Sequence, residues 1–229
     1  MPMPISRALL VCGAVAGAAS AARADVLVTF GYTDLAGSFN SGTSVFSATA
    51  IDMAGVLRSD GNVSRLPDGA PGGTALFDPG FVSLPGPADF MLSVNVTGIG
   101  PNTATGTGAF MILDANGDMI MGDISGTFVR GNNGATFFNA DLSNVMIMGM
   151  SGDGLFNGTD GGAFSLNFGA ISMFEGSLVQ LMTRPAGVGF FTQSFSNIST
   201  EVSGQLIPAP GAAAVLLGSG VLASRRRRR

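Results

Sequence analysis

The sequence has no histidine, no lysine and no tryptophan, and its single cysteine, Cys12, stands near the N-terminus. These absences exclude much chemistry at once. A Ser-His-Asp triad, a His/Cys zinc site, a Schiff-base lysine and a P-loop lysine cannot be assembled from this chain alone. The eleven basic residues are all arginines, two in residues 1–24 and five in the last five positions. Between those ends, four arginines face fifteen acids, a formal charge of −11. A body so acidic argues against a nucleic-acid partner. Polar helix formers are scarce as well. Residues 25–206 hold two Glu, four Arg and three Gln, nine in 182 positions, and a surface helix needs such residues on its wet face.

Residues 1–24 read as an export signal. Arg7 supplies positive charge, Ala8–Ser20 is apolar and small, and Ala22-Arg23-Ala24 offers the small-x-small site of an export signal peptidase, with cleavage before Asp25. Thirteen apolar residues are few for a retained anchor. Cleavage discards Cys12, so the mature protein is expected to lie in an oxidising place without disulfides.

The C-terminal stretch IPAPGAAAVLLGSGVLASRRRRR has a similar logic. Pro208 and Pro210 flank Ala209, Gly211–Ser224 carries no charge, and Arg225, Arg226, Arg227, Arg228 and Arg229 close the chain. As a helix the apolar segment reaches about 21 Å, short of a bilayer core of roughly 30 Å. Five arginines behind it form a membrane stop, which leaves the body outside. An unprocessed tail anchor uses the same physics, whereas a GPI signal ends in its apolar tail. This order of elements resembles the PEP-CTERM sorting tail of bacterial surface proteins, with Ala209 where the family carries Glu. The resemblance covers about a tenth of the chain. It implies an exosortase-like processing enzyme, with Pro208, Ala209 and Pro210 as the motif it reads, and it implies location, not activity.

Between the two ends the composition is that of strands and turns. Phe90, Leu92, Val94 and Val96 alternate with Met91, Ser93, Asn95 and Thr97; Val26–Tyr32, Phe164–Phe168 and Glu201–Leu206 alternate likewise. Period two places one face on a core and the other in water. Further strands are expected at 44–52, 109–113, 119–124, 127–130, 135–142, 145–150, 176–181 and 190–196. Turns are expected at Asp60-Gly61-Asn62, Asn116-Gly117, Asn132-Asn133-Gly134 and 151–162, and a long loop or crossover at Pro67–Pro87. The fold class is therefore all-β, one antiparallel sandwich or jelly-roll-like domain over 25–206, with a signal peptide over 1–24 and an anchor segment with a short apolar helix over 207–229. A membrane barrel shares the alternation, but an apolar helix with five arginines is a poor last strand for one.

Asp114, Asn116 and Asp118 place oxygens at i, i+2 and i+4, a spacing that can wrap Ca²⁺. The glycine and the twelfth residue depart from an EF-hand loop, and Asn116-Gly117 reads more simply as a hairpin turn. Asp153, Asn157 and Asp160 lie in a glycine-rich stretch read as a surface loop. Catalysis would fall to carboxylates; Glu175 and Glu201 are the only glutamates, and nothing in the sequence pairs two acids for glycoside hydrolysis. Met119-Ile120-Met121-Gly122 recurs as Met146-Ile147-Met148-Gly149. Clustered thioethers can bind copper(I), but alternate methionines in strands are expected to pack core. The sequence thus points to a protein exported across the inner membrane to the cell surface, structural or interactive in an envelope or extracellular matrix, with no cofactor evident. Its candidate partners are the membrane, polysaccharide or other surface proteins. The alternatives are a calcium-dependent binding module and a carboxylate-only glycosidase.

Overall fold

Alternation does what it promises, and every regular element of the described residues is a strand. The computed structural model describes residues 27–53, 55–67, 72–77, 89–131, 134–169, 171–183 and 190–209. Ala22, Ala24, Pro210, the apolar tail segment and Arg225–Arg229 lie outside them. In chain order the strands are β1 (Val28–Asn40), β2 (Val45–Thr49), β3 (Asp52–Met53), β4 (Leu57–Arg58), β5 (Asp60–Arg65), β6 (Gly73–Phe77) and β7 (Phe90–Thr97). They continue as β8 (Thr103–Leu113), β9 (Met119–Arg130), β10 (Ala135–Met148), β11 (Leu155–Asn157), β12 (Ala163–Ser165), β13 (Phe174–Thr183) and β14 (Phe195–Pro208).

The all-β class holds, but the sandwich or jelly roll does not. Strands β1-β2-β7-β8-β9-β10-β13-β14 pair in that order, and β14 returns to β1, so eight antiparallel strands close into a barrel. The closing seam runs from Val28 opposite Leu206, through Tyr32 opposite Val202, to Phe39 opposite Phe195. Alternation reveals which face is buried and is silent on which edges meet, which is why the sequence left closure undecided. Closure needs bent strands, and bulges supply the bends. Asp34, Asn144 and Asn197 sit at or beside register shifts with φ of 52°, 52° and 55°. Asp and Asn tolerate this left-handed region better than other side-chain-bearing residues. Two of the bulges are tied across strands: Ser199 Oγ donates to Asp34 Oδ1 at 2.8 Å, and Asn144 Nδ2 donates to Asp123 Oδ2 at 2.7 Å.

Strand β1 changes partner along its length. Residues 36–40 pair with β2, whereas residues 28–33 pair with β5, which carries β6 beside it. The expected turn at Asp60-Gly61-Asn62 is therefore part of a strand, and Gly61 is there because the Tyr32 ring occupies the space a Cβ would take. The expected loop Pro67–Pro87 likewise contains β6. The runs 119–124 and 127–130 fuse into β9, and 135–142 and 145–150 into β10 with its bulge. Phe190 and Phe191, expected in a strand, lie in a turn.

Fourteen phenylalanines are buried, each worth roughly 1.5–3 kcal/mol against exposure. Near one end, Phe191 packs on Phe39, Phe46, Phe128 and Phe195. Elsewhere Tyr32, Phe77, Phe90, Phe156 and Phe164 join β1 to β6, β7 and the β11–β12 hairpin. Phe128 and Phe138 stack with centroids 4.1 Å apart, and the missing side chain of Gly106 makes room for both rings. The barrel interior is mostly apolar packing, with Thr136, Gln180 and Thr200 buried in the same strands, while the outer face mixes hydroxyls, amides and carboxylates with outward Phe137, Met146 and Val179.

The methionine expectation is corrected. Met119, Met121 and Met148 are half-buried, Met146 is 41% exposed and Met150 is 65% exposed. They occupy outward positions, and Ile120 and Val145 take the inward ones. The repeated Met-Ile-Met motif pairs with itself, since Met121, Ile120 and Met119 lie opposite Met146, Ile147 and Met148.

Candidate functional site

Asn116-Gly117 is the expected hairpin turn between β8 and β9, with Gly117 at φ 92°. The flanking aspartates turn inward. Asp114 and Asp118 are 1% and 0% exposed. Asp114 Oδ1 accepts the N–H groups of Asn116 at 2.7 Å and Asp118 at 2.8 Å, and its Oδ2 accepts that of Asn157 at 2.8 Å. Asp118 Oδ1 accepts from the Met150 and Ser151 N–H groups, and its Oδ2 accepts from Ser151 Oγ at 2.8 Å. Asn116 Nδ2 and Asn157 Nδ2 both donate to Asp153 Oδ2, at 3.0 and 2.9 Å.

The segment weighed for calcium, 114–118, and the glycine-rich stretch 151–162 therefore meet in one hub. Backbone N–H groups, with the Ser151 hydroxyl, take the oxygens of Asp114 and Asp118, which makes the hub a clamp between the hairpin tip and the segment before β11. Burial raises the Asp114 carboxyl above its usual range, opposed by the three N–H donors. Exposed Asp153 is held below the usual range, chiefly by the Leu155 N–H. Among the described residues no three His, Cys, Asp or Glu are placed to share a metal ion.

Two of the three residues expected to be the processing motif, Pro208 and Ala209, are among the described residues. Pro208 is the last residue of β14, opposite Phe174, and the Ala209 N–H donates to the Met173 carbonyl at 3.1 Å. β14 thus runs two residues past the expected body limit of 206.

The outer wall holds what the sequence did not show. Cross-strand register lines up mostly short polar side chains in rows, interrupted in the first by Gly31 and the outward Val179. One row runs Asn62, Gly31, Ser203, Val179, Asn139, Thr127, Thr105 across β5, β1, β14, β13, β10, β9 and β8. The next runs Ser64, Thr29, Gln205, Ser177, Asp141, Ser125, Thr107 across the same strands. Over β5, β1, β14, β13 and β10 the wall sinks into three adjoining depressions of about 380, 550 and 320 Å³. The first two share Gly31, Asn62, Val179 and Ser203, and the last two share Ser177 and Gln205. They form one trough across five strands, roughly 19 Å at about 4.8 Å per strand spacing.

Small outward residues make the floor: Gly31 has no side chain, and Ser177 and Ser203 have short ones. Acids stand at both ends, Asp60 and Glu201 at one, Asp141 and Glu175 at the other. Glu175 lies two residues from Ser177, which faces Asp141. The pair is thus diagonal, with the two residues about 7–8 Å apart, and their Cβ atoms somewhat closer, by general sheet geometry. The two glutamates themselves are not brought together. Alternation marks Thr29, Gly31, Ser203 and Gln205 as outward, and that was the available signal; their neighbours across strands were hidden. Compared with protein-family models, curated proteins and solved structures, the chain matches none.

Proposed function

We propose that this chain is an exported surface protein whose barrel binds an extended polysaccharide along the outer trough, holding it to the cell envelope without turning it over. The observation that carries the reading is the trough itself: a groove five strands long with Gly31, Ser177 and Ser203 on its floor, the hydroxyls and amides of Thr29, Asn62 and Gln205 along it, and Val179 as an apolar patch. Hydroxyl and amide side chains both donate and accept, which suits sugar hydroxyls, and short side chains lose little rotamer entropy on binding. The interior is packed with side chains, Phe, Leu, Ile and Val foremost, so the outer wall is the place for a ligand of this size. Four acids at the ends favour a neutral or amino-bearing polymer over a uronate-rich one. The reading of residues 1–24 as a signal peptide and of the Pro208-Ala209-Pro210 tail with Arg225–Arg229 as a membrane stop supports a body held outside, at the membrane, in reach of an exosortase-like enzyme.

Gly31→Trp tests the reading. A Cβ at position 31 meets only the Val202 carbonyl oxygen, at 3.9 Å, so a large side chain fills the groove without entering the core. Binding to cellohexaose, chito-oligosaccharide and alginate oligomers is measured by calorimetry. The expected result is binding of a neutral or amino sugar oligomer, weakened at least about tenfold by Gly31→Trp (about 1.4 kcal/mol) with a melting temperature no lower than the parent's. Equal affinity of the two chains for every oligomer contradicts the trough. Hydrolysis of an oligomer that stops in Asp141→Asn supports the glycosidase reading through the Asp141–Glu175 diagonal instead.

A further inference from the structure

Of the nine methionines between residues 90 and 182, six stand in two cross-strand rows on the outer wall. Met91 faces Met111, Met111 faces Met121, and Met121 faces Met146, one on each of β7, β8, β9 and β10. Met119 faces Met148 in the row nearer the hairpin tip. All but Met146 are half-buried. The inward positions of the same strands are filled by Phe90, Leu92, Phe110, Ile112, Ile120 and Val145, so these thioethers are not needed for the core. Elsewhere on the same outer faces the chain uses Ser93, Thr107, Ser125 and Asn139. Where a half-buried apolar residue is wanted on a strand, Val or Ile fits the pleat better than Met. A row of sulfurs is therefore a specific placement.

Residues directly opposite on antiparallel strands have Cβ atoms about 4.5–5.5 Å apart. Methionine has three rotatable bonds beyond its Cα, so neighbouring sulfurs can converge on one point. Met121 is the centre of the array, with Met111 and Met146 on either side and Met119 two residues along the same strand. We propose that this array is a thioether site for a soft monovalent cation, copper(I) or silver(I). A thioether is a neutral, soft donor that selects such ions over calcium, magnesium or zinc. It has no proton to lose, so binding carries none of the pH dependence of thiolate or imidazole sites. Asp123, two residues beyond Met121 on the same face, adds negative charge nearby while its Oδ2 holds Asn144.

The site is independent of the trough, and its test is separate. The full-length chain, carrying Cys12→Ser to remove its one thiol, is titrated with Ag⁺. A parallel titration uses Cu⁺ kept reduced by ascorbate, against a chromophoric chelator, with the first shell read by X-ray absorption. The expected result is an all-sulfur shell and an affinity unmoved by millimolar Ca²⁺ or Zn²⁺. In Met111→Leu/Met121→Leu, a near volume-conserving change, affinity should drop at least about 100-fold, as loss of two soft donors requires. Met91→Leu/Met146→Leu, at the ends of the row, gives a smaller drop and serves if the first pair fails to fold. Met150→Leu, outside both rows, leaves affinity unchanged. A shell of oxygen or nitrogen, or equal retention of Ag⁺ by wild type and both double variants, overturns the proposal.

Discussion

Adding one methyl group to either of two strand glycines should move stability in opposite directions. At Gly106 on β8 a Cβ would lie 2.6 Å from Val94 Cγ1, 2.8 Å from Phe128 Cε2 and 2.9 Å from Phe138 Cε2. All three neighbours are fully buried, so none can swing into solvent. Overpacking of this kind costs about 1–3 kcal/mol. Relief of the entropic penalty of a strand glycine returns about 0.5–1 kcal/mol. The balance runs from near zero to a loss of about 2.5 kcal/mol, and the three close contacts with side chains that cannot move aside put Gly106→Ala in the upper part, roughly 1–2.5 kcal/mol or about 2–10 °C in melting temperature for a domain of this size. At Gly31 on β1 the new Cβ points to the open groove and meets only the Val202 carbonyl at 3.9 Å. Gly31→Ala therefore keeps the entropic gain of about 0.5–1 kcal/mol and melts a few degrees higher. Calorimetric melting of the three chains decides it. Shifts of the same sign, or a Gly106→Ala chain as stable as the parent, would refute the packing of the Phe128–Phe138 stack against β8.

Asp89 is 2% exposed, and burial raises its pKa to about 7, despite the Phe90 N–H bond that lowers it. Its charged form is disfavoured in the fold, so stability falls as pH rises from about 4, where the unfolded chain ionises, to about 7, where the folded one follows. Asp89→Asn should flatten that slope and raise stability at pH 7.5 by up to about 4 kcal/mol, read from urea midpoints at several pH values. Asp118→Ala strips the acceptor from the part-buried Met150 and Ser151 N–H bonds, so a loss of about 1–3 kcal/mol is expected in denaturant melts, with faster hydrogen exchange confined to 114–118 and 150–157. Because Ala209 still bonds to Met173, a chain ending at Ala209 should be released from the envelope with the melting temperature of the parent, whereas one ending at Leu206 should melt lower; fractionation and calorimetry check both.

Phe90–Thr97 was legible residue for residue, because strict alternation with aromatic and branched side chains leaves no other reading. Asp60-Gly61-Asn62 misled for the opposite reason. Its turn chemistry is local, but Gly61 was selected by a contact with Tyr32, 29 residues away in sequence. Closure was hidden likewise, since the residues that permit it are single Asp and Asn bulges with no pattern of their own. The spacing of Asp114 and Asp118 around the hairpin tip was visible in the sequence, yet their partners, the N–H groups of Met150, Ser151 and Asn157, leave no trace in residue identity. Methionine in alternate positions showed period two without showing phase. Only the neighbouring Ile120 and Val145, larger claims on the core, decide that the sulfurs face out.

The central claim is that the trough over β5, β1, β14, β13 and β10 is the ligand-binding face. Backbone amide chemical shifts measured during titration with the oligosaccharide that binds test it most directly. The account predicts perturbations clustered at Thr29–Thr33, Asn62, Ser177–Val179 and Ser203–Gln205, and none at the hairpin tip around Asn116. Perturbations centred on 114–118 and 151–157, or spread evenly over the barrel, would contradict it.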